Sequence, residues 1–435
     1  MLLWPSICYS QPFWSLTNEF WGGPKTGIGL LDDTVFFVAT KKGILKSVDD
    51  GEHFEQVLEA FSVYTMFVSS SGNVYAGGNG KIYFSTDKGT AWDSVSLNTN
   101  YPVIQFAESG NGGIFAITRL MDNGDGVFYL ENNGNTWQAR NNGLGYKKGC
   151  ESIAVDKYNR LYLAITDENA TGNGGLFISE SDGLLWEKIN LTVDSINGPL
   201  RTANITGLSI SPDDSIYISF TEIGSNFLMK MNLRKSLHDI KSGNSWLPLL
   251  VSKSSSWWED KALNNIHFAK NGDWYSSSAG TVNTGATCFS TDKGRNWFQI
   301  TDGLGLSETG FRTTQHFVEN SKGYIYMVQY LDERIYKTDK SLHTSNKPYL
   351  AVRFQVQVYP NPVKAGEKVF LRIPVNDDIT DFSLYDLSGQ KIYSEPELNR
   401  VNEFIAPYKT GIYIVKLKGH HFLKTEKLIV IRNSH

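Results

Sequence analysis

Cysteines and long apolar runs are scarce in this sequence of 435 residues. The three cysteines, Cys8, Cys150 and Cys288, form no even disulfide framework, and no two of them lie at a metal-ligand spacing. We expect Cys150 and Cys288 to be small buried residues. Because no run of about 18 apolar residues occurs, the sequence predicts no transmembrane helix.

An excess of charge of either sign is also missing. The chain has 41 basic and 45 acidic residues, a net charge of −4, which excludes the basic surface of a general nucleic-acid-binding protein. Aromatic residues make up 13% of the chain, unlike the aromatic-poor composition of disordered proteins. With 40 glycines and few long amphipathic stretches, the composition indicates an all-β fold rich in tight turns. The length suits about three domains, or one large repeat fold with a small module.

The N-terminus resembles the end of a targeting segment. Residues 1–10 read MLLWPSICYS, in which short residues close an apolar stretch, as they do at a secretory cleavage site. We interpret residues 1–10 as the remnant of a signal peptide whose start lies upstream, with the mature chain beginning near Gln11. The alternative is an ordinary apolar strand at the N-terminus.

A short pattern, S-x-D-x-G-x-x-W, recurs along residues 14–345 in complete and worn copies. The clearer copies are Ser47, Asp49, Gly51 and Phe54; Ser85, Asp87, Gly89 and Trp92; Asn132, Gly134 and Trp137; Ser179, Ser181, Gly183 and Trp186; and Ser290, Asp292, Gly294 and Trp297. Two faint copies are Gly243 with Trp246, and Lys337 with Asp339 and Ser341. The glycine positions, with Ser341 last, are 38 to 60 residues apart. This period fits one four-stranded blade of a propeller per copy.

Each copy of the pattern predicts a hairpin corner between the third and fourth strands of a blade. Glycine supplies the positive φ that such a turn needs. Short Asp and Ser side chains bond to the turn's backbone groups, and the aromatic residue packs against neighbouring strands. We therefore assign Asp49, Asp87 and Asp292 a structural role rather than a catalytic or metal-binding one.

These corners resemble the Asp-box repeat of bacterial neuraminidases. The resemblance covers most of the chain from Trp14 to Thr344 and implies a β-propeller, which we assign to residues 11–350. In that family the boxes lie at the blade periphery, on the face opposite the binding site. We expect seven blades, with six or eight as alternatives. Residues 13–16 are expected to supply the fourth strand of the last blade and so to close the ring.

The last eighty residues form a separate pattern. Alternating strands are expected over residues 368–373, 381–386, 411–418 and 424–431, which predicts a small β-sandwich. The opening Tyr359-Pro360-Asn361-Pro362, the turn around Gly389 and the strand from Gly411 closely resemble the type IX secretion C-terminal sorting domain. We assign an Ig-like sandwich of this family to residues 351–435. The resemblance implies handling by the type IX secretion machinery, export across the outer membrane of a Gram-negative bacterium, and release or attachment to the cell surface.

Candidate ligand-binding residues come from loops that would surround one mouth of the propeller. Exposed aromatic residues beside carboxylates suit stacking on sugars together with hydrogen bonds to hydroxyls. The candidates are Trp257, Trp258, Glu259, Asp167, Glu168, Arg119, Asp122 and Tyr146. The alternative for the Trp257–Trp258 pair is that one member packs between blades.

We interpret the protein as a secreted, surface-associated propeller that recognises an extracellular glycan or protein. The alternative is a glycoside hydrolase, sialidase-like or xyloglucanase-like, acting on extracellular polysaccharide. A sialidase needs an arginine cluster and a Tyr–Glu pair, and Arg372-Ile373-Pro374, the one match to a sialidase motif, lies in the C-terminal module. No phosphate-loop, zinc-protease, calcium-loop or serine-nucleophile motif occurs. We therefore name no catalytic residue, metal or cofactor, and expect a monomer with no nucleic-acid partner.

Overall fold

The computed structural model places the chain in two compact units, Met1–His343 and Thr344–His435. It describes residues 13–17, 23–120, 123–132, 134, 136–146, 148–165, 174–191, 194–195, 198–199, 205–222, 225–242, 247–253, 262–279, 286–294, 297–300, 303–304, 314–329, 332–338, 357–372, 379–395, 403–419 and 423–432. The expected signal-peptide remnant, residues 1–10, lies outside these ranges.

Antiparallel strands build the first unit, and each run of about four strands forms one sheet, called a blade and numbered in chain order. The first strand of the chain is β1 (Trp14–Leu16). Blade 1 contains β2 (Lys25–Leu30), β3 (Phe36–Thr40), β4 (Gly43–Ser47) and β5 (Glu55–Glu59). Blade 2 contains β6 (Thr65–Val68), β7 (Val74–Gly77), β8 (Lys81–Ser85) and β9 (Asp93–Ser96). Blade 3 contains β10 (Val103–Glu108), β11 (Ile114–Thr118), β12 (Val127–Leu130) and β13 (Trp137–Ala139).

The remaining blades follow the same order, with one short hairpin inserted. Blade 4 contains β14 (Cys150–Val155), β15 (Leu161–Ile165), β16 (Gly175–Ser179) and β17 (Glu187–Lys188), and the inserted hairpin is β18 (Asp194–Ser195) with β19 (Gly198–Pro199). Blade 5 contains β20 (Ile205–Ser211), β21 (Ser215–Glu222), β22 (Ser225–Asn232), helix α1 (Leu237–Ser242) and β23 (Leu247–Lys253). Blade 6 contains β24 (Ala262–Leu263), β25 (His267–Phe268), β26 (Trp274–Ala279), β27 (Ala286–Ser290) and β28 (Phe298–Gln299). Blade 7 contains β29 (Thr314–Glu319), β30 (Ile325–Gln329) and β31 (Ile335–Thr338).

The N-terminal strand completes the last blade. Strand β1 pairs antiparallel with β31, so that Trp14 lies opposite Thr338 and Leu16 opposite Tyr336. The Trp14 side chain is fully buried, and its indole N–H donates to the carbonyl oxygen of Ile300 at 3.0 Å. Contacts between neighbouring blades run from blade 1 to blade 7 and return from β29 to β2. The first unit is therefore a closed β-propeller, and the described part of the chain contains seven sheets of four or five strands in this unit, besides the two-stranded β18–β19 hairpin.

The hydrophobic core of the propeller lies between the blades. The second strand of every blade carries a buried aromatic residue: Phe37, Tyr75, Phe115, Tyr162, Tyr217, Tyr275 and Tyr326. The corner aromatic of the following blade packs on this side chain. Trp92 meets Phe37 with ring centroids 6.0 Å apart, and Trp137 meets Tyr75 at 6.4 Å. This second row was not predicted. Its signal is visible in the sequence, because an apolar residue followed by Tyr or Phe comes after each first turn.

Four of the predicted corners share one hydrogen-bonding pattern. The hydroxyl oxygens of Ser47, Ser85, Ser179 and Ser290 accept from the backbone N–H of Gly51, Gly89, Gly183 and Gly294, at 2.7 to 3.1 Å. These glycines have φ between 77° and 89°, in the left-handed region that favours glycine. Where an aspartate follows, as in Asp87, the serine hydroxyl donates to its carboxylate, here at 2.8 Å. The pattern explains why these residue types recur at this spacing.

Three predicted corners depart from the pattern or cannot be compared with it. Leu130 stands where the other corners have serine, and the N–H of Gly134 donates instead to the carbonyl oxygen of Glu131 at 2.7 Å. Helix α1 lies between the third and fourth strands of blade 5. The faint copies at Gly243, Trp246, Asp339 and Ser341 lie outside the described residues.

The second unit is a sandwich of two sheets. Its strands are β32 (Gln357–Tyr359), β33 (Val363–Lys364), β34 (Lys368–Arg372), β35 (Ile379–Asp386), β36 (Lys391–Glu395), β37 (Glu403–Ile405), β38 (Gly411–Gly419) and β39 (Leu423–Ile431). One sheet has the order β32-β34-β37 and the other β33-β39-β38-β35-β36. Val369 and Phe404 from the first sheet pack with Phe382, Val415 and Leu428 from the second. The four predicted strands are confirmed within two residues, and the shorter strands were missed.

Replacing Trp92 by alanine tests the packing between blades. We expect the free energy of unfolding to fall by about 3–5 kcal/mol, because the indole fills the space against Phe37. Chemical denaturation followed by circular dichroism measures this loss. Phe61→Ala serves as the control, because Phe61 is 87% exposed and its removal should change stability by less than about 0.5 kcal/mol. Equal stability of the Trp92 variant and the wild type would show that the corner aromatic is not part of the core.

Candidate binding site

Strand direction separates two ends of the propeller. Turns between first and second strands, and corners between third and fourth strands, lie at one end. Turns between second and third strands, and the connections from one blade to the next, lie at the other end, which we call the mouth. In blade 1 the two kinds of mouth segment meet: the N–H of Ala60 and of Ser62 donate to the carbonyl oxygens of Lys42 and Lys41.

A central cavity of about 770 Å³ lies inside the ring of first strands. Residues from every blade line it, among them Leu30, Met66, Gln105, Glu151, Thr206, Asn265 and Phe317. Its size falls within the range of about 300–1,000 Å³ that is usual for small-molecule sites. The cavity, called the channel below, is therefore large enough to admit part of a ligand.

Several polar side chains of the channel connect neighbouring blades. The side-chain amide of Gln105 exchanges two hydrogen bonds with the backbone of Ile153, at 3.0 and 3.2 Å. The Oδ1 atom of Asn265 accepts from the N–H of Leu208 at 2.9 Å and from the hydroxyl of Ser152 at 3.1 Å. These side chains satisfy backbone hydrogen-bonding groups along the innermost strands, so they hold neighbouring blades together.

An ion pair links blades 3 and 4 at the channel. Arg119 follows β11 directly, and its backbone N–H donates to the carbonyl oxygen of Pro102 at 3.0 Å. Its guanidinium Nη1 pairs with Oε2 of Glu151 in β14, and the two side chains are 26% and 20% exposed. Arg119 is a predicted site residue, whereas Glu151 was missed. The sequence signal for Glu151 is a charged residue in an otherwise apolar first strand.

Two histidines and a glutamate line the channel on the side of blades 6 and 7. The Nε2 atom of His267 lies 3.6 Å from Oε2 of Glu319, and the His267 ring stacks on Phe317. Glu319 also accepts from the backbone N–H of Lys270 at 3.0 Å. Burial lowers the pKa of His316 to about 4, so His316 is neutral at pH 7. None of these residues was predicted from the sequence.

Exposed apolar side chains surround the mouth near blades 1 to 4. Tyr146, a predicted site residue, is 72% exposed, and its segment reaches Lys148, which bridges to Asp125 of the neighbouring turn. Phe61, which was missed, is 87% exposed. Leu120, next to Arg119, is 54% exposed. These side chains present stacking surface to solvent beside charged groups.

Six predicted site residues lie outside the described residues: Asp122, Asp167, Glu168, Trp257, Trp258 and Glu259. Their segments nevertheless connect described strands. Asp122 lies between β11 and β12, Asp167 and Glu168 between β15 and β16, and the Trp257 segment between β23 and β24. All three are connections of the mouth type.

Neither a metal site nor a membrane helix is found within the described ranges. No group of three or more His, Cys, Asp or Glu side chains there could hold a metal ion. None of the helices in those ranges is long and apolar enough to cross a membrane. Cys150 and Cys288 are buried thiols outside any disulfide, as expected.

The C-terminal unit matches a known family. Residues 357–431 match the secretion system C-terminal sorting domain. This domain marks proteins that the type IX secretion system exports and that are then released or kept on the cell surface. The protein is secreted or attached to the outer cell surface. No curated protein is significantly similar in sequence to the chain.

Solved structures similar to the chain are propellers of several kinds. The extracellular domain of a hybrid two-component system from B. thetaiotaomicron has 15% identity and a TM-score of 0.59, and covers 98% of this chain and 58% of its own. YCF48 from Cyanidioschyzon merolae has 13% identity and a TM-score of 0.52, over 75% of this chain and 98% of its own. An ancestral GH74 enzyme has 13% identity and a TM-score of 0.55, over 97% of this chain and 64% of its own. At these identities the likeness shows the fold alone.

Replacing His316 by glutamine tests the half-buried histidine that lines the channel. Since the pKa of His316 in the folded protein lies below its ordinary value of 6.5, the unfolded chain binds the extra proton first. Wild-type stability should therefore fall as the pH drops from about 6.5 to about 4, by at most about 3 kcal/mol from this group. His316→Gln should lack this part of the loss. Urea denaturation at several pH values measures both proteins, and parallel curves would contradict the assignment.

Proposed function

We propose that the protein is an Asp-box propeller that its sorting domain delivers to the cell surface, where its mouth recognises a glycan or protein partner. The observation that carries the proposal is the combination, at one end of the ring, of exposed Phe61 and Tyr146 with the Arg119–Glu151 pair. An aromatic face stacks on the apolar side of a sugar, while a carboxylate and a guanidinium bond to hydroxyls. This chemistry favours a glycan.

The corner geometry supports the Asp-box part of the proposal. In blade 2 the carboxylate of Asp87 accepts from the Ser85 hydroxyl and from the N–H groups of Thr90 and Ala91. These bonds lower the pKa of Asp87. Its acceptor capacity is used within the turn, which supports a structural role for this aspartate. Corners of this kind lie at the end opposite the mouth.

The remaining predicted residues extend the proposed site. Trp257, Trp258 and Glu259 lie in the connection from blade 5 to blade 6, and Asp167 and Glu168 in the connection between β15 and β16. Since such connections lead to the mouth, we propose that these side chains and Asp122 share the ligand with Tyr146. Sequence and strand topology support this part of the site.

Binding is better supported than hydrolysis. A glycosidase needs two carboxyl groups placed to act as acid and base or nucleophile. The described carboxylates lining the channel, Glu151 and Glu319, are engaged, the first by Arg119 and the second by His267 and the backbone of Lys270. We therefore retain hydrolysis only as an outcome of the test.

A glycan array with a parallel hydrolysis screen tests recognition at the mouth. We expect the wild type to retain at least one extracellular polysaccharide, and Tyr146→Ala to weaken retention about tenfold, the effect of about 1.4 kcal/mol of lost contact. Tyr158→Ala is the matched control, because Tyr158 is 50% exposed but lies in a turn at the opposite end. Both variants should melt like the wild type. Equal retention by the two variants would contradict a binding role for the mouth, and released sugar would favour the hydrolase.

Deleting residues 357–431 tests the role of the sorting domain. We expect the truncated protein to remain in the periplasm, because the signal read by the outer-membrane machinery is gone. Immunoblots of periplasm, cell surface and medium measure the distribution, and protease resistance shows that the propeller still folds. Appearance of the truncated protein outside the cell at wild-type levels would contradict this assignment.

A further inference from the structure

The corner glycine of blade 3 has different surroundings from the corner glycines of blades 2 and 4. A Cβ atom added to Gly89 of blade 2 would lie 2.3 Å from Phe37 of blade 1, and one added to Gly183 of blade 4 would lie 3.1 Å from Arg140 of blade 3. At Gly134 of blade 3, the three nearest heavy atoms all belong to Glu131 of the same turn. Leu130, Glu131, Gly134 and Trp137 of this corner line a space between blades 2 and 3.

This space is a groove of about 370 Å³ at the end opposite the mouth. Tyr75 and Phe84 from blade 2 and Trp137 from blade 3 supply its aromatic wall. Thr86 and Glu131 stand at its exposed rim. The volume suits one or two sugar rings, and the mixture of aromatic wall and polar rim is that of a small-molecule site.

Trp137 is placed differently from the other corner tryptophans. The indole N–H groups of Trp186 and Trp297 donate to the carbonyl oxygens of Arg140 and Gly294, at 2.8 and 3.1 Å. Trp92 carries a buried N–H. Trp137 is half-buried, contacts Tyr75 and Phe106 through its ring, and has no hydrogen-bond partner among the described residues. Trp137 lines the groove, and no other described group uses its indole N–H.

The charge of the residues that line the groove determines which ligands it can accept. Glu108 and Glu131 line the groove, and none of the described lining residues is Lys or Arg. Glu108 already accepts from the N–H and the hydroxyl of Ser70, both at 2.7 Å, which leaves the exposed Glu131 carboxylate as the acceptor for ligand hydroxyls. A carboxylate on the ligand would be repelled, because no cation compensates it.

We propose that this groove is a second binding site, distinct from the mouth, and that it takes a neutral saccharide unit of an extracellular glycan. The sugar stacks on the Trp137 ring, accepts a hydrogen bond from the indole N–H, and donates hydroxyls to Glu131 and Thr86. Acidic sugars are excluded. The proposal stands on the blade 2–blade 3 groove and does not depend on what the mouth binds.

Titration of the full chain, labelled with 15N at the tryptophan indoles, tests the site. The probes are methyl α-mannoside, methyl β-galactoside and methyl α-rhamnoside, with glucuronate as the acidic counterpart. We expect the Trp137 signal, assigned by its loss in Trp137→Phe, to shift and saturate at millimolar concentration with at least one neutral probe. Glucuronate should leave it unmoved, and Glu131→Gln should allow glucuronate to shift it.

Matched variants separate this site from the mouth and from misfolding. In a Tyr146→Ala background, which removes the proposed mouth contact, Trp137→Ala should weaken binding at least tenfold in ligand-observed saturation-transfer spectra, while Trp297→Phe leaves it unchanged. An amide spectrum matching the wild type shows that each variant folds. No saturable shift by any neutral probe up to about 50 mM would overturn the proposal, as would equal binding of glucuronate. A Trp137 shift that follows protein concentration instead would show that a second copy fills the groove, which also overturns it.

Discussion

Packing of an aromatic residue from one blade against the corner of the next is the interaction on which the propeller depends. The buried second-strand residues Phe37 and Tyr75 receive Trp92 and Trp137 from the following blades. A single four-stranded sheet would leave both of its faces exposed, and burial comes only from its neighbours. Because every blade needs two neighbours, the ring must close, and Trp14 of β1 closes it from the far end of the domain.

The two ends of the propeller differ in how their side chains are used. At the end opposite the mouth, hydrogen bonds form within a corner or join a first turn to the next blade. Examples are the Ser85–Gly89 corner and the bond from Ser70 to Glu108 of the next blade. The mouth segments join strands that are already fixed, so that their side chains can vary without loss of the core. Exposed residues such as Phe61 and Tyr146 are tolerated there. Where one corner has Leu130 in place of serine, its residues line a groove between two blades.

The sequence predicted much of the fold because the signals are local. A glycine at positive φ, with a serine four residues earlier, defines a corner within five residues, as Ser85 and Gly89 do. The period-two pattern of the C-terminal unit placed its long strands within two residues. The candidate site was harder to predict. Tyr146 and Arg119 were identified from loop composition, whereas Glu151, Phe61 and His316 carry no local motif.

The sequence alone determined the repeated corners, the strand at Trp14 and the sorting module, since each depends on residues close together in the chain. Tertiary structure decided which residues from different blades meet. Arg119 reaches Glu151 across the boundary of two blades, and Gly89 of blade 2 lies against Phe37 of blade 1. Such pairings follow from how the sheets stack around a common axis, and a pattern read along one blade carries no information about its distance from the next.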